Sequence, residues 1–257
     1  MLRYERQKQL LDMFTVGEVL HPEDIVNKFG VSLATARRDL KLLEELPYIQ
    51  KVYGGAVKLE IDPDDTPLLE RQHLNVKEKD AIGRWCANLV QDNDLIMLDN
   101  GTTPLYIARY LKERDITVLT NSLLIVNELA SARPEVILLG GTLRKKELSI
   151  TGYPTLNELK SYNIGKYFMS VSGLSPDTGV SDYHIDEIEV KKNAIACSRD
   201  VYLISDSSKF GFVAPRHLCG LTDVSMIITD NGLTDAAFDE YKNAGATIHR
   251  VQIKHKS

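Results

Sequence analysis

Long apolar runs are absent from this chain. No stretch approaches the roughly 20 residues that a membrane-spanning helix requires. The first residues, Met1–Gln9, lack the apolar centre of a secretory leader. Both absences lead to the expectation of a cytoplasmic protein with no membrane partner. Cysteine is scarce: Cys86, Cys197 and Cys219 are odd in number, far apart and without a Cys-x-x-Cys pair. That argues against a disulfide framework or a metal site, and for buried free thiols. Excess charge of either sign is also missing. Up to Glu60 nine basic residues meet nine acidic ones, so the remainder carries the whole net charge of −5. Bulk charge therefore advertises no affinity for nucleic acid, and a local basic face would have to supply any. What is present is an ordinary globular composition, 43% hydrophobic and 26% charged over 257 residues, enough for two domains.

The first sixty residues read as helices separated by tight turns. A helix is expected over Glu5–Phe14, with Gln7, Leu10, Leu11 and Phe14 on one side. A second starts at Pro22, a favoured first helical position, with Glu23 and Asp24 suited to the positive helix start. It buries Ile25, Val26 and Phe29 and stops at Gly30. Ser32 then caps a third helix, on which Leu33, Ala36, Leu40 and Leu43 line one face. The other face carries Ala34, Thr35, Arg38 and Lys41, with Arg37 on its flank. Helix, short turn, and a second helix with small and basic residues near its start make a helix-turn-helix. Residues there can reach base edges and phosphates in a DNA major groove. Tyr48–Val52, a Tyr53-Gly54-Gly55 turn and Ala56–Leu59 follow as a β-hairpin wing, where Lys51 and Lys58 can hold backbone phosphate. An isolated Arg-Arg pair would be read as a solvated face; here the helices, turn and wing fall in order.

The acidic, proline-punctuated stretch from Glu60 to Pro67 marks a linker, and the organisation expected is residues 1–59 as a winged helix-turn-helix domain, 60–75 as linker and 76–257 as an α/β domain. In the last, a helix Val76–Val90 buries Ile82, Cys86 and Leu89, with Trp85 packed beside them. Strands are expected at Leu95–Asp99, Ile116–Thr120, Val136–Gly140, Tyr167–Ser172, Val201–Asp206, Met226–Asp230 and Thr247–Val251. Helices at Pro104–Lys112, Leu123–Ala130, Asp186–Ser198 and Asp235–Ala244 lie among them. Such alternation implies a mostly parallel sheet covered on both faces.

In open parallel sheets ligands bind beyond the carboxyl ends of the strands. Polar residues collect there: Asp99, Asn100, Gly101, Thr102 and Thr103; Asn121 and Ser122; Gly140 and Gly141; Ser172 and Gly173; Asp206 through Lys209. Gly101 turning into a helix with two threonines and Pro104 makes an anion cradle of free backbone N–H groups and a helix dipole. A phosphorylated, hydroxyl-rich small molecule fits: N–H groups and hydroxyls for phosphate, Lys209 as counter-charge, Asp99, Asn121 and Asp206 for hydroxyls. Taken singly, Gly140, Gly141 and Asp206 are as well explained by turns and caps.

The run from Val31 to Leu40, followed by Gly54-Gly55-Ala56, resembles the N-terminal domain of DeoR-family bacterial transcription regulators. The resemblance continues through Leu98–Thr103, Thr120–Ser122, Leu139–Arg144, Ser149–Gly152, Glu189–Lys192 and Asp206–Gly211, which are similar to that family's sensor domain. The chain departs from the family at Ala36, where isoleucine is usual, at Tyr53, where histidine is usual, near Pro47, where glycine is usual, and at Asn100, where serine is common. The resemblance implies a larger domain folded like ribose-5-phosphate isomerase and control by a phosphorylated sugar or related metabolite. It also implies no enzymatic activity, no cofactor, double-stranded operator DNA as partner, and assembly as a homodimer or homotetramer. The implied DNA-binding set is Ser32, Ala34, Thr35, Arg37, Arg38, Lys41, Lys51, Gly54 and Gly55. The implied effector-binding set is Asp99, Asn100, Gly101, Thr102, Thr103, Asn121, Ser122, Gly141, Gly173, Asp206 and Lys209.

Two other functions fit part of the sequence. A sugar-phosphate isomerase or transferase would use the same loops, with Asp99, Asp182 or Asp186 as acid or base, and leaves the first sixty residues without a purpose. A partner-binding scaffold would use the winged helix for protein contacts and has no motif of its own.

Overall fold

Helix Pro22–Phe29 begins where proline's φ is already helical, and its start is closed by the His21 N–H donating to the Asp24 carboxylate at 3.0 Å. It ends at Gly30, whose left-handed φ of 64° lets its N–H reach the Val26 carbonyl. After this tight turn the Ser32 hydroxyl accepts from the Thr35 N–H at 3.2 Å and starts helix Leu33–Glu45. The computed structural model describes residues 10, 13, 19–45, 49–52, 54–58 and 68–253. The expected first helix therefore lies outside the described residues except for Leu10 and Met13, as do Tyr48, Tyr53, Leu59 and the stretch 60–67. The chain divides into two units, Met1–Thr66 and Pro67–Ser257.

In the smaller unit, Leu10, Leu20, Ile25, Ala36, Leu40 and Ala56 form the buried core, with Val26 and Phe29 packed against it. Leu33 departs from the expected pattern: it stands at the open first turn of its helix and is 37% exposed. The expected hairpin forms, Ile49–Val52 against Gly55–Lys58, and a strand not expected, Val19–Leu20, adds to it opposite Val57 and Ala56.

The larger unit is built on seven parallel strands in the spatial order Ile248–Val251, Met226–Asp230, Ser198–Ile204, Ile164–Met169, Leu95–Leu98, Thr117–Thr120, Glu135–Leu138. Strand residues alternate between two cores. Met97, Tyr167 and Met169 face one, with Leu159, Ile188 and Ala194 from helices Tyr153–Leu159 and Ile185–Ala196. Ile96, Leu98 and Phe168 face the other, with Ile82 and Cys86 of helix Val76–Ala87 and Ile107 of helix Thr102–Tyr110. Burial on both faces is why these strands read as unbroken apolar runs.

Two strands begin three residues before the positions expected, because the apolar runs that mark them are preceded by charged residues that still join the ladder, Asp200 opposite Lys166. Lys166 donates to Asp94 at 2.6 Å, and Arg199 pairs with Asp200. Residues 68–75, expected as linker, include helix Leu68–Arg71 with Leu68 fully buried. Three short features were not expected: hairpin Thr142–Arg144/Ser149–Thr151, helix Tyr153–Leu159, and an antiparallel trio of Gly173–Ser175, Gly179–Asp182 and Arg216–Cys219. Their strands are three or four residues long and rich in Ser, Gly and charge, below what periodicity detects.

Cys86 and Cys219 are buried free thiols and Cys197 is half-buried. Trp85 is partly buried and stacks on His249 with ring centroids 4.1 Å apart.

Gly83 is where two helices meet: a Cβ there would lie 2.7 Å from the Tyr106 carbonyl carbon and Cβ. Gly83→Ala is expected to lower unfolding free energy by about 1–2 kcal/mol, because overpacking against backbone exceeds the roughly 1 kcal/mol gained in helix propensity. Urea unfolding measures it, and an unchanged or raised midpoint would contradict this packing.

Candidate DNA interface and effector site

On helix Leu33–Glu45 the core residues Ala36 and Leu40 leave Ala34, Arg37, Arg38 and Lys41 exposed and Thr35 half-exposed. This set sits at the helix start, where a recognition helix presents its reading residues. Ser32 is exposed, but its hydroxyl is engaged as the cap and bonds Thr35 Oγ1 at 2.9 Å. Lys51 lies on the wing strand opposite Ala56. Gly54 turns the wing with a φ of 89°, and its carbonyl lies 2.9 Å from His21 Nδ1. Gly55 has a packing reason of its own, since a Cβ there would collide with the Leu20 carbonyl.

In the larger unit the carboxyl edge of the sheet carries a buried polar network. Asp99 accepts from the Ser170 N–H and hydroxyl, both at 3.0 Å. The ammonium of Lys191 lies 2.6 Å from Asp182 and 3.4 Å from Asp99, and donates to the Ser170 carbonyl at 2.7 Å. Burial opposes ionisation of Asp182, yet Lys191 and hydrogen bonds from Ser172 and the Tyr183 N–H hold its carboxyl below the ordinary range. Burial pushes Asp99 the other way, above that range, despite Lys191. Burial works against the charged ammonium as well, but Asp182 and Asp99 outweigh it and hold Lys191 above an ordinary lysine. Glu187, one helical turn before Lys191, pairs with Arg144 at 2.9 Å and with the Ser149 hydroxyl. It thereby ties the helix to the hairpin.

The predicted effector residues fall into connected groups. Asp99, Asn100, Gly101, Thr102 and Thr103 are buried at the turn into helix Thr102–Tyr110. Gly101 is required there, because a Cβ would lie 2.5 Å from Ser170 Oγ. Asn121 and Ser122 meet the hairpin, Asn121 Nδ2 donating to the Ile150 carbonyl at 3.1 Å. Among the described residues, the buried atoms of this edge that lack a hydrogen-bond partner include Asp99 Oδ1, Asn100 Oδ1, Asn121 Oδ1, Ser122 Oγ and Glu187 Oε2. Buried polar groups are rarely left so, and these want donors or acceptors from a ligand or water. Gly141 and Gly173 are packing glycines; a Cβ would collide with Thr155 Oγ1 and the Phe212 carbonyl respectively.

Asp206 and Lys209 belong to a second group that includes residues the sequence reading missed. Asp206 accepts from the Ser208 N–H at 3.1 Å and from Asn75 Nδ2 at 2.9 Å. Lys209 stands beside Asp206 and Arg71, and burial lowers its ammonium from the usual value. Lys79, only 4% exposed, is pulled down to about 8 by burial, with Asp206 acting against and Lys209 and Arg71 adding to the effect. Two desolvated lysines beside Asp206, with Arg71 next to them on Glu147, thus make an electropositive corner suited to an anion. Lys191 and Glu187 had a sequence signal: four residues apart, they share one face of a helix whose neighbouring positions are apolar. Arg71 and Lys79 had none. A separate cavity of about 410 Å³ is lined by Ser207, Gly232, Tyr241 and the carboxylates Asp177 and Glu240, and no basic side chain lines it. It does not hold the predicted residues and is ill suited to phosphate. Among the described residues, no three His, Cys, Asp or Glu side chains form a metal site, and no helix is long and apolar enough to cross a membrane.

A winged helix-turn-helix with a basic reading face, joined in one chain to an α/β unit with a polar carboxyl edge, defines a two-domain transcription regulator. Residues 6–61 match the DeoR-like helix-turn-helix domain and residues 74–231 the DeoR C terminal sensor domain. The chain belongs to the DeoR family. It is 35% identical to an uncharacterized HTH-type transcriptional regulator, YulB, of Bacillus subtilis, over 100% of both chains. It is 32% identical to the HTH-type transcriptional repressor GlcR of the same organism, over 93% of this chain and 92% of that one. Ribose 5 phosphate isomerase A from Neisseria gonorrhoeae is a structural neighbour at 16% identity, covering 51% of this chain and 52% of that one, with a TM-score of 0.38. The relatives' names are those of regulators, and the isomerase or transferase reading gives way to them.

Lys191→Met leaves two buried carboxylates without their cation and is expected to cost about 3–5 kcal/mol at pH 7. Asp182 has a depressed folded value, so the stability it contributes is present above the ordinary carboxylate range and lost as pH falls through that depressed value. In the variant burial acts on Asp182 and Asp99 without Lys191 to oppose it and raises both, so they take up protons at a higher pH than in the parent. The penalty should therefore shrink near about pH 4. Urea unfolding at both pH values tests this, and an equal penalty would contradict it.

Proposed function

We propose that this protein is a repressor of a carbohydrate-utilisation operon whose operator affinity is set by a phosphorylated sugar or related metabolite. Arg37, Arg38, Thr35, Ala34 and Lys41 read and hold the major groove, with Ser32 positioning the helix start and Lys51, Gly54 and Gly55 forming the wing beside the backbone. Two heads of a homodimer or homotetramer contact paired half-sites, since one short helix spans only a few base pairs. The observation that supports ligand control most is that the loops after the strands carry buried polar atoms without partners, with two desolvated lysines, Lys79 and Lys209, beside Asp206 in one of them. Lys209 and the N–H groups at Gly101, Thr102 and Thr103 take the phosphate; Asp99, Asn100, Asn121, Ser122 and Asp206 take hydroxyls, framed by Gly141 and Gly173. The names of relatives support repression: alongside the GlcR repressor stands a putative aga operon transcriptional repressor of Escherichia coli, 27% identical over 95% of this chain and 92% of that one.

Fluorescence anisotropy of the protein on its own upstream DNA, titrated with a panel of phosphorylated sugars and polyols, tests the reading. One member is expected to release the DNA, and indifference to the whole panel would overturn ligand control. Lys209→Ala should weaken the active member by about tenfold or more, the worth of a charge-assisted hydrogen bond. Separately, Arg37→Ala and Arg38→Ala should each weaken operator binding by about 1–3 kcal/mol if they read bases, or lower the salt slope by about one if they hold phosphate. Neither change appearing would remove the arginines from the interface.

A further inference from the structure

The chain enters the larger unit through Leu68–Asn75, and this segment is fastened to two loops of the candidate effector edge. On one side the Leu68 N–H donates to the Lys146 carbonyl at 3.4 Å, and Arg71 pairs with Glu147, both in the loop of hairpin Thr142–Thr151. On the other, Asn75 Nδ2 donates to Asp206 at 2.9 Å and to Ser208 Oγ at 3.4 Å, in the loop that carries Lys209. Between them the Lys79 ammonium donates to the Arg71 and Leu74 carbonyls, each at 2.7 Å, and so closes the turn. Asn75 itself holds a left-handed φ of 48°, a conformation that asparagine adopts more readily than other residues with a side chain.

We propose that Arg71, Asn75 and Lys79 form a grip that couples ligand occupancy of the larger unit to the DNA-binding head, by controlling how the chain is held where it enters that unit. The idea rests on the reading that the edge beside Lys209 binds a phosphorylated ligand. An anion arriving there adds negative charge next to Asp206 and offers Arg71 and Lys79 a stronger partner than Glu147 or a carbonyl. The bonds that fasten Asn75 and Arg71 then differ between the empty and occupied states, and such a difference is what coupling between two sites requires. The grip follows the smaller unit directly in the sequence, the boundary falling between residues 66 and 67.

The test uses the full chain and two variants. Asn75→Gly keeps the left-handed backbone open but removes the bond to Asp206, and Arg71→Met removes the pair with Glu147 while keeping the aliphatic stem. Far-ultraviolet circular dichroism checks that both are folded. Ligand affinity is read from the emission of Trp85, the single tryptophan, which stands on the same helix as Lys79. DNA affinity is read by anisotropy with and without saturating ligand, the probe being the panel member most active on the parent protein. The expected result for Asn75→Gly is ligand affinity within about threefold of the parent. Arg71→Met, which removes a cation offered to the anion, binds ligand more weakly and is read at saturation. In both, the ligand-induced change in DNA affinity falls by about tenfold, within the usual span of allosteric coupling. A ligand-induced change equal to the parent's overturns the grip.

A parent that responds to no panel member fails the sensing proposal instead, and the grip is then judged without ligand. A shift of at least about threefold in the DNA affinity of ligand-free Asn75→Gly sustains it, because loosening the grip biases the same equilibrium. No shift overturns it.

Discussion

A single buried ammonium organises the polar carboxyl edge of the larger unit. Lys191 reaches Asp182 on the small antiparallel sheet, Asp99 at the end of a central strand, and the Ser170 carbonyl at the end of its neighbour. Removing a charge from water costs several kcal/mol even after relaxation, and only partners in good geometry offset that. The strand ends, the excursion Gly173–Asp182 and helix Ile185–Ala196 therefore have to close around one point. From the same helix Glu187 extends the constraint through Arg144 and Ser149 to the hairpin, and from there to Asn121. The atoms left unpartnered after this closure are the ones a ligand would find.

Topology decides why this happens at one edge. All seven strands are parallel, so their carboxyl ends lie together, and each polar loop following a strand is delivered to the same side. The apolar interiors of the strands hold the two cores and leave nothing else for these loops to do. The smaller unit follows a different economy: among its described residues a few core side chains set two helices and a three-stranded sheet, and Arg37 and Arg38 stay on the outside.

How far the sequence could be read depended on length and on charge. Strands with four or more apolar residues in succession, such as Leu95–Leu98, were visible at once. Ile164–Met169 was visible only in part, since Lys166 looks like a break until its pairing with Asp94 is known. The hairpin around Ser149 and the Gly173–Asp182 excursion have no periodicity to find. Gly55, Gly141 and Gly173 were legible only in part. Their motif positions suggest binding, and the structure adds that each also sits where a neighbouring backbone or side chain leaves no room for a Cβ.

The sequence by itself determined the two-part organisation, the recognition helix with its exposed arginines, the alternation of strands and helices, and the glycine-threonine turn at Gly101. All of these are written in local spacing and turn chemistry, which act over a few residues. Only the tertiary structure decided that Lys191 lies between Asp99 and Asp182, that Arg71 and Lys79 join Lys209, and that residues 68–75 fold onto the larger unit. Those relations join positions far apart in the chain, Asn75 and Asp206 being separated by 131 residues. Contacts of that span follow from how the strands order themselves in the sheet, and no local pattern records that order.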